Sequence, residues 1–245
     1  MKVLRAQSSG GDPGLVRALD AKGAPIGRTT KAKAKKPAEA RITLHGNIHS
    51  IPAMKVALML SMCGAKYDYR VVERERRLSP EYAEISRFTQ IPALRHGERN
   101  ICQSSTILRY LAEHFARFGG RNEMEKVHIS EWLDFEADIV SVGIGRSRYV
   151  TKNPQASQDF KDFAKTRGDR TFNTLDRHLG SSKFLVGPAP TIADIAIFPW
   201  IAVADAGGYN VANWPNVQAW AERLMTFPGA GHPLAIIPKE DRNAA

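Results

Sequence analysis

The residues best placed for chemistry lie near position 90, where Ile91-Pro92 opens one predicted strand, and near 103, where Gln103-Ser104 opens a predicted helix. Proline lacks a backbone N–H and favours a tight turn at a strand entrance, often through a cis bond. We therefore expect the N–H and C=O of Ile91 to be unpaired and to face outward. An extended peptide pairs with such groups as an added strand.

The predicted helix start at Gln103-Ser104 supplies a complementary group. The first turn of a helix has unpaired N–H groups at the positive end of the helix dipole, and Ser104 is placed as the N-cap. A carboxylate binds well at such a position. The two features together predict a site for a small anionic peptide, such as a tripeptide that ends in a carboxylate.

Composition and charge limit the partners. The chain has 245 residues, of which 43% are hydrophobic, enough for one large or two small domains with a full core. No run approaches the roughly 18 apolar residues of a membrane span, so we expect no membrane partner. Residues 1–40 hold nine Lys/Arg against three Asp/Glu, which is +6 of the net +10. We expect no nucleic-acid partner beyond weak contact by this basic segment.

The pattern along the chain predicts an α/β domain followed by an all-α domain. Residues 1–40 are rich in Gly, Ala, Lys and Ser with little apolar periodicity, which predicts a disordered basic extension. A cleaved transit peptide is the alternative, although its acids and glycines fit poorly. Residues 41–118 read strand, helix, strand, helix, hairpin, helix, which predicts a thioredoxin-like domain. Residues 123–231 read as helices throughout, and 232–245 as a tail.

The two cysteines, Cys63 and Cys102, cannot form a disulfide framework of the kind found in secreted proteins. Both lie in apolar sequence surroundings, which favours buried, small hydrophobic side chains over redox groups. We expect a reduced, cytoplasmic compartment.

The entrance at Pro92 followed by Gln103-Ser104 resembles the glutathione-binding half of the glutathione S-transferase superfamily. Thr191-Ile192-Ala193-Asp194 resembles the capping box in that family's second domain, and Trp214-Pro215-Asn216-Val217 resembles its final helix. The resemblance covers residues 41 to about 231. It implies a cytoplasmic, homodimeric transferase that takes glutathione as co-substrate, needs no metal and conjugates a small electrophile.

Such chemistry needs a thiolate near pH 7, whereas a free thiol titrates at about 8.5. Lowering the thiol pKa by roughly two units stabilises the anion by ~2.7 kcal/mol, which a hydroxyl donor and a helix N-terminus can supply. Family members with serine or cysteine as the reacting residue place it five residues before a basic residue and six before an apolar one. Ser50 has this relation to Lys55 and Val56. The resemblance therefore implies that Ser50 donates to the glutathione sulfur.

Other residues of the same loop compete with Ser50. Asn47 is the second candidate for thiol activation, because some members use an asparagine here. Ser50 is also a plain N-cap candidate, and His49 is a donor that we expect to face solvent. Residues 41–55 contain no tyrosine, and His45 stands where many members carry one, which disfavours the tyrosine-dependent classes.

The resemblance assigns the rest of the tripeptide. Gln103 and Ser104 hold the γ-glutamyl end, the backbone of Ile91 pairs with the cysteinyl part, and Gln90 reaches the glycyl end. The electrophile pocket is expected near residues 140–149, a segment of small and basic character.

One departure from the family pattern lies just upstream of the site. Many members carry Asn-Pro-x-Gly where this chain reads Ser86-Arg87-Phe88-Thr89. Losing that Gly and Pro changes the backbone that leads into the site and affects how the glycyl carboxylate is held. Arg87 is the residue expected to compensate.

Other functions fit the same pattern. The first is a non-enzymatic interaction module, like the transferase-like domains of translation factors and synthetases. Another is a glutathione-dependent isomerase or dehalogenase, and reduction of a hydroperoxide by the glutathione thiolate is a third. A serine at position 50 favours transfer over a mixed-disulfide mechanism, which needs a nucleophilic thiol there.

Overall fold

The computed structural model describes residues 40–244. The disordered extension expected for residues 1–40 lies outside the described residues except at Ala40. The first half contains, in chain order, β1 (Ile42–Gly46), α1 (Ile51–Met62), β2 (Asp68–Val71), α2 (Arg74–Arg77), α3 (Pro80–Ile85), β3 (Ala93–His96), β4 (Arg99–Cys102) and α4 (Ser104–Phe115).

The strands form a four-stranded sheet in the order β2-β1-β3-β4. β1 runs parallel to β2 and antiparallel to β3, and β4 is the hairpin partner of β3. This arrangement confirms the thioredoxin-like domain. Gly46 ends β1 where α1 crosses close by, because a Cβ added there would lie 2.9 Å from Ala53 Cβ. The loop of residues 47–50, which joins β1 to α1, therefore starts at a tightly packed position.

The second half is helical, which confirms the all-α domain. It contains α5 (Glu123–Phe135), a π-helical turn (Glu136–Val140), α6 (Ser141–Lys152), α7 (Gln158–Leu179), α8 (Ile192–Ala202), two short 3-10 turns (Ala204–Gly207 and Val211–Asn213), α9 (Pro215–Met225) and α10 (Pro233–Ile236). Residues 123–152 thus form one continuous helical stretch that contains a π-helical turn. An extra residue in one turn leaves the apolar pattern almost unchanged, so the periodicity of the sequence does not predict it.

The core of the helical half is α8, which is buried along nearly its whole length. Thr191 and Asp194 form the expected capping box, with Thr191 N–H donating to Asp194 Oδ2 at 2.8 Å. Asp194 Oδ1 also accepts from Leu185 N–H and Trp220 Nε1–H, each at 2.9 Å. These bonds satisfy a carboxylate that is fully buried. Within residues 40–244, no helix is long and apolar enough to cross a membrane.

The segment after residue 231 is more ordered than the expected tail. It forms α10, buries Ile237 and then pairs its main chain at Arg242 with Tyr69 of β2. β2 lies at an edge of the sheet, where its outward N–H and C=O groups need partners. The last described residues of the chain supply those partners.

Candidate functional site

The seven residues predicted to activate the thiol or bind the tripeptide all line one open cavity of about 600 Å³ at the end of the sheet. Its lining consists of Asn47, His49, Ser50, Pro52, Val72, Glu73, Arg74, Arg77, Gln90, Ile91, Pro92, Gln103 and Ser104. The cavity thus joins the loop after β1, the segment after β2, the entrance to β3 and the start of α4.

The loop after β1 presents Ser50 and Asn47 to this cavity. Ser50 is the N-cap of α1, and its Oγ accepts from Ala53 N–H at 3.3 Å. Among the described residues, nothing accepts the hydroxyl hydrogen of Ser50. Asn47 is more constrained, because its Nδ2 donates to Glu73 Oε1 at 3.0 Å and its Oδ1 accepts from His49 N–H at 2.9 Å. Ser50 therefore caps α1 with its hydroxyl oxygen, and its hydroxyl hydrogen remains available to a ligand.

The entrance to β3 has the predicted form. The Ile91–Pro92 peptide bond is cis, and the β3 ladder begins only at Ala93. Ile91 therefore lies outside the ladder, half-buried on the cavity wall, while Pro92 is buried beneath it. This is the geometry expected for a segment that pairs with an extended peptide.

Ser86 fixes the backbone in front of that entrance, in the stretch that departs from the family pattern. Its Oγ donates to Gln90 O at 2.9 Å and accepts from Gln90 N–H at 3.2 Å. Tyr82 OH donates to the same carbonyl at 3.0 Å, and Thr89 adopts a positive φ of 51°. A buried serine thus holds the residue before Ile91, so the loss of Gly and Pro leaves a defined backbone.

At the start of α4, one prediction was wrong in detail. The N-cap is Gln103, with φ 68° and no side-chain capping bond, and Ser104 is the first helical residue. The exposed side chain of Gln103 instead donates from Nε2 to Gln90 Oε1 at 3.0 Å. Gln103 and Ser104 both line the cavity, so the start of this helix, which suits an anion, lies at the cavity wall.

The charged residues of the cavity were missed by the sequence analysis. Arg74 and Arg77 of α2 line it, and Arg77 Nε is buried with no hydrogen-bond partner among the described residues. Arg87, the expected compensating residue, is exposed and outside the lining. The sequence signal for these cations was the pair of arginines three residues apart that follows β2. The cavity is therefore suited to a ligand that carries a carboxylate near α2.

The segment 140–149, expected near the electrophile, lies outside the lining of this cavity. A Cβ added at Gly143 would lie 2.6 Å from the backbone of α7, and one at Gly145 would lie 3.4 Å from the ring of Trp200. These glycines permit close helix packing. Among residues 40–244, no group of three His, Cys, Asp or Glu side chains is arranged to hold a metal ion.

Comparison with known families decides the classification. Residues 44–121 match the N-terminal domain of the Glutathione S-transferase family, and residues 147–223 match its C-terminal domain. The chain belongs to the glutathione S-transferase superfamily. Both matched domains lie within the described residues, and the cavity is lined by residues of the N-terminal domain.

Individual relatives of this chain are distant in sequence. It is 27% identical over 192 residues to Disulfide-bond oxidoreductase YfcG of Escherichia coli K12, covering 74% of this chain and 88% of YfcG. It is 31% identical over 190 residues to Disulfide-bond oxidoreductase YghU of the same organism, covering 70% and 64%. A glutathione transferase structure from Pseudomonas putida, with one glutathione disulfide per subunit, has 25% identity and a TM-score of 0.73, covering 84% and 95%.

Proposed function

We propose that this protein is a glutathione transferase that binds glutathione in the cavity around Ser50 and Ile91 and joins its sulfur to a small electrophile. The observation that supports this most is the convergence of three kinds of group on one cavity. These groups are an unpaired strand entrance at Ile91, a helix start at Ser104 and the cations of Arg74 and Arg77.

The three groups match the three parts of the tripeptide. The γ-glutamyl carboxylate binds at the first turn of α4, beside Gln103 and Ser104. The cysteinyl main chain pairs with the backbone of Ile91 as a short added strand. The glycyl carboxylate lies toward Arg77 and Gln90, where the arginine offers a planar pair of donors.

The sulfur then lies beside the start of α1. The Ser50 hydroxyl donates to it, and the positive end of α1 favours the anion, so the thiol loses its proton to water more readily. The thiolate attacks the electrophilic carbon, an S–C bond forms, and the leaving group departs with its bonding electrons. Ser50 is preferred to Asn47 because Asn47 Nδ2 already donates to Glu73.

Reduction of a disulfide is the second candidate, because two of the relatives are named disulfide-bond oxidoreductases. Among the described residues, no cysteine lines the cavity, so both reacting thiols must come from glutathione. One thiolate attacks the disulfide and displaces a thiolate, and a second glutathione resolves the mixed disulfide. Glutathione is oxidised to its disulfide, and the substrate is reduced to two thiols.

The test compares Ser50→Ala, Ser50→Thr and Asn47→Ala in two assays at saturating glutathione. Conjugation is followed with 1-chloro-2,4-dinitrobenzene, and reduction with bis(2-hydroxyethyl) disulfide. A lost hydrogen bond to a charged group lowers the rate of Ser50→Ala by about 10- to 100-fold and moves its pH–rate profile to higher pH. Ser50→Thr retains most activity. Unchanged turnover in Ser50→Ala with loss in Asn47→Ala would transfer the role to Asn47.

We also propose that the active form is a cytoplasmic homodimer, as the resemblance implies. Sedimentation velocity at micromolar concentration measures its mass. A species of one chain at all concentrations would contradict the dimer and leave the site chemistry to be tested separately.

A further inference from the structure

Residues 238–244, called the strap below, run along the free edge of β2. Tyr69 N–H donates to Arg242 O at 2.7 Å, and Arg242 N–H donates to Tyr69 O at 3.0 Å, so the two residues form an antiparallel bridge. The strap thereby covers the edge of the sheet that the order β2-β1-β3-β4 leaves open.

Side chains strengthen this contact on both sides. Arg70 donates from Nη1 to Arg242 O at 3.1 Å and from Nη2 to Asn243 Oδ1 at 2.7 Å. Ala244 N–H donates to Asp68 Oδ1 at 2.7 Å. Every residue of β2 from Asp68 to Arg70 thus bonds to the strap through its main chain or its side chain.

Asp241 makes the contact closest to the glutathione cavity. Its Oδ1 accepts from Val71 N–H at 2.7 Å, at the last residue of β2. The next N–H, that of Val72, donates to Gly46 O of β1 at 2.8 Å. Two consecutive N–H groups are therefore held, one by the strap and one by β1, where the chain leaves the sheet.

The cavity wall begins at the same point. Val72 and Glu73 line the cavity, and Glu73 accepts from Asn47 and caps α2. α2 carries Arg74 and Arg77, yet it is only one turn long and buries none of its residues. Such a short helix has little packing of its own to fix its position, so the held end of β2 determines where these cations lie.

We infer that Asp241 is a positioning residue for the glutathione site, acting through Val71 on the wall formed by residues 72–77. This inference rests on the proposed function for its effect on glutathione. The strap thereby connects the helical half of the chain to the cations that hold the glycyl carboxylate. Asp241 itself touches no substrate atom in this account.

The test uses the full chain with Asp241→Ala, Asp241→Asn and, as matched control, Ala at the exposed neighbour Glu240. Loss of the charged acceptor raises the Kd and KM for glutathione by about five- to tenfold in Asp241→Ala, with kcat changed by less than about twofold. Asp241→Asn keeps an acceptor oxygen and recovers part of the affinity. Glu240→Ala matches the parent protein. Hydrogen exchange at residues 71–77 becomes faster in Asp241→Ala alone.

The outcomes separate the two proposals. If the parent protein binds glutathione and Asp241→Ala matches Glu240→Ala in affinity and in exchange at residues 71–77, the positioning role is overturned. If the parent protein binds no glutathione, the proposed function fails, and the exchange rates still decide whether Asp241 holds this segment. If Asp241→Ala does not fold, Asp241→Asn decides: a glutathione affinity equal to that of Glu240→Ala overturns the positioning role, and a weaker affinity supports it.

Discussion

Lys55 Nζ lies 2.6 Å from Glu136 Oε1, and the two side chains are only 2% and 4% exposed. Trp200 Nε1–H donates to the same oxygen at 2.7 Å, and the Lys55 ammonium lies 5.3 Å from the centre of the Trp200 ring. Burial lowers the pKa of Lys55, and the contact with Glu136 opposes that change. This pair joins α1, whose N-cap is Ser50, to the π-helical turn of the helical half.

Replacing either partner alone is expected to destabilise the fold strongly. Lys55→Met or Glu136→Leu leaves one buried charge unpaired, which costs about 3–5 kcal/mol in the free energy of unfolding. The double variant removes both charges and recovers most of that loss. Urea unfolding of the three variants at pH 7 measures the coupling. Lys165→Met, which breaks an exposed pair with Asp169, is the control and leaves the free energy of unfolding nearly unchanged. Additive effects of the two buried substitutions would contradict the pair.

Arg77 is expected to select for the free glycyl carboxylate. Arg77→Gln removes a cation from the cavity wall and weakens glutathione binding by roughly 10-fold, the usual effect of one charge-assisted hydrogen bond. The monoethyl ester of glutathione at the glycyl carboxylate binds the parent protein and Arg77→Gln about equally. Arg87→Gln, outside the cavity, is the control. Calorimetric titration of both ligands checks this. An equal loss of affinity for glutathione and for the ester in Arg77→Gln would show that Arg77 does not bind the glycyl carboxylate.

His45 is expected to make the fold less stable in acid. Its burial, with Arg76, Arg70 and Arg95 nearby and only Asp241 opposing them, lowers its pKa from 6.5 to about 4. As the pH falls from about 6.5 to 4, the unfolded chain therefore binds a proton that the folded chain does not bind. The free energy of unfolding falls over that range by about 3 kcal/mol at most.

The matching experiment is urea unfolding between pH 4 and 7.5 for the parent protein, His45→Phe and the exposed-site control His128→Gln. His45→Phe loses most of the slope, because the titrating group is gone, whereas His128→Gln keeps it. An identical slope in His45→Phe would assign the acid sensitivity to other groups.

The parts of the site that carry local signals could be predicted from the sequence. Proline before a strand and a polar pair before a helix affect the backbone at their own positions, so the turn at Pro92 and the helix start at Gln103-Ser104 could be predicted. The order of strands and helices was also readable, because apolar periodicity is a local property.

The parts of the site that depend on contacts between residues far apart in the sequence could not be predicted. Ser86 fixes Gln90 through a bend with no regular period, and Arg77 reaches the cavity only once α2 is folded against it. The bridge of Arg242 to Tyr69 joins residues more than a hundred positions apart, and no sequence pattern in either segment predicts it. The exact capping residue of α4 differed because Gln103 adopts a positive φ.

The most direct test of the account is calorimetric titration of the folded parent protein with millimolar glutathione, together with its thermal unfolding. We expect a saturable heat with one tripeptide per chain, a rise in the unfolding temperature and loss of both in a variant that combines Arg77→Gln with Ser104→Ala. Well-folded protein that gives no heat and no shift in unfolding temperature would contradict the glutathione site and the transferase chemistry built on it.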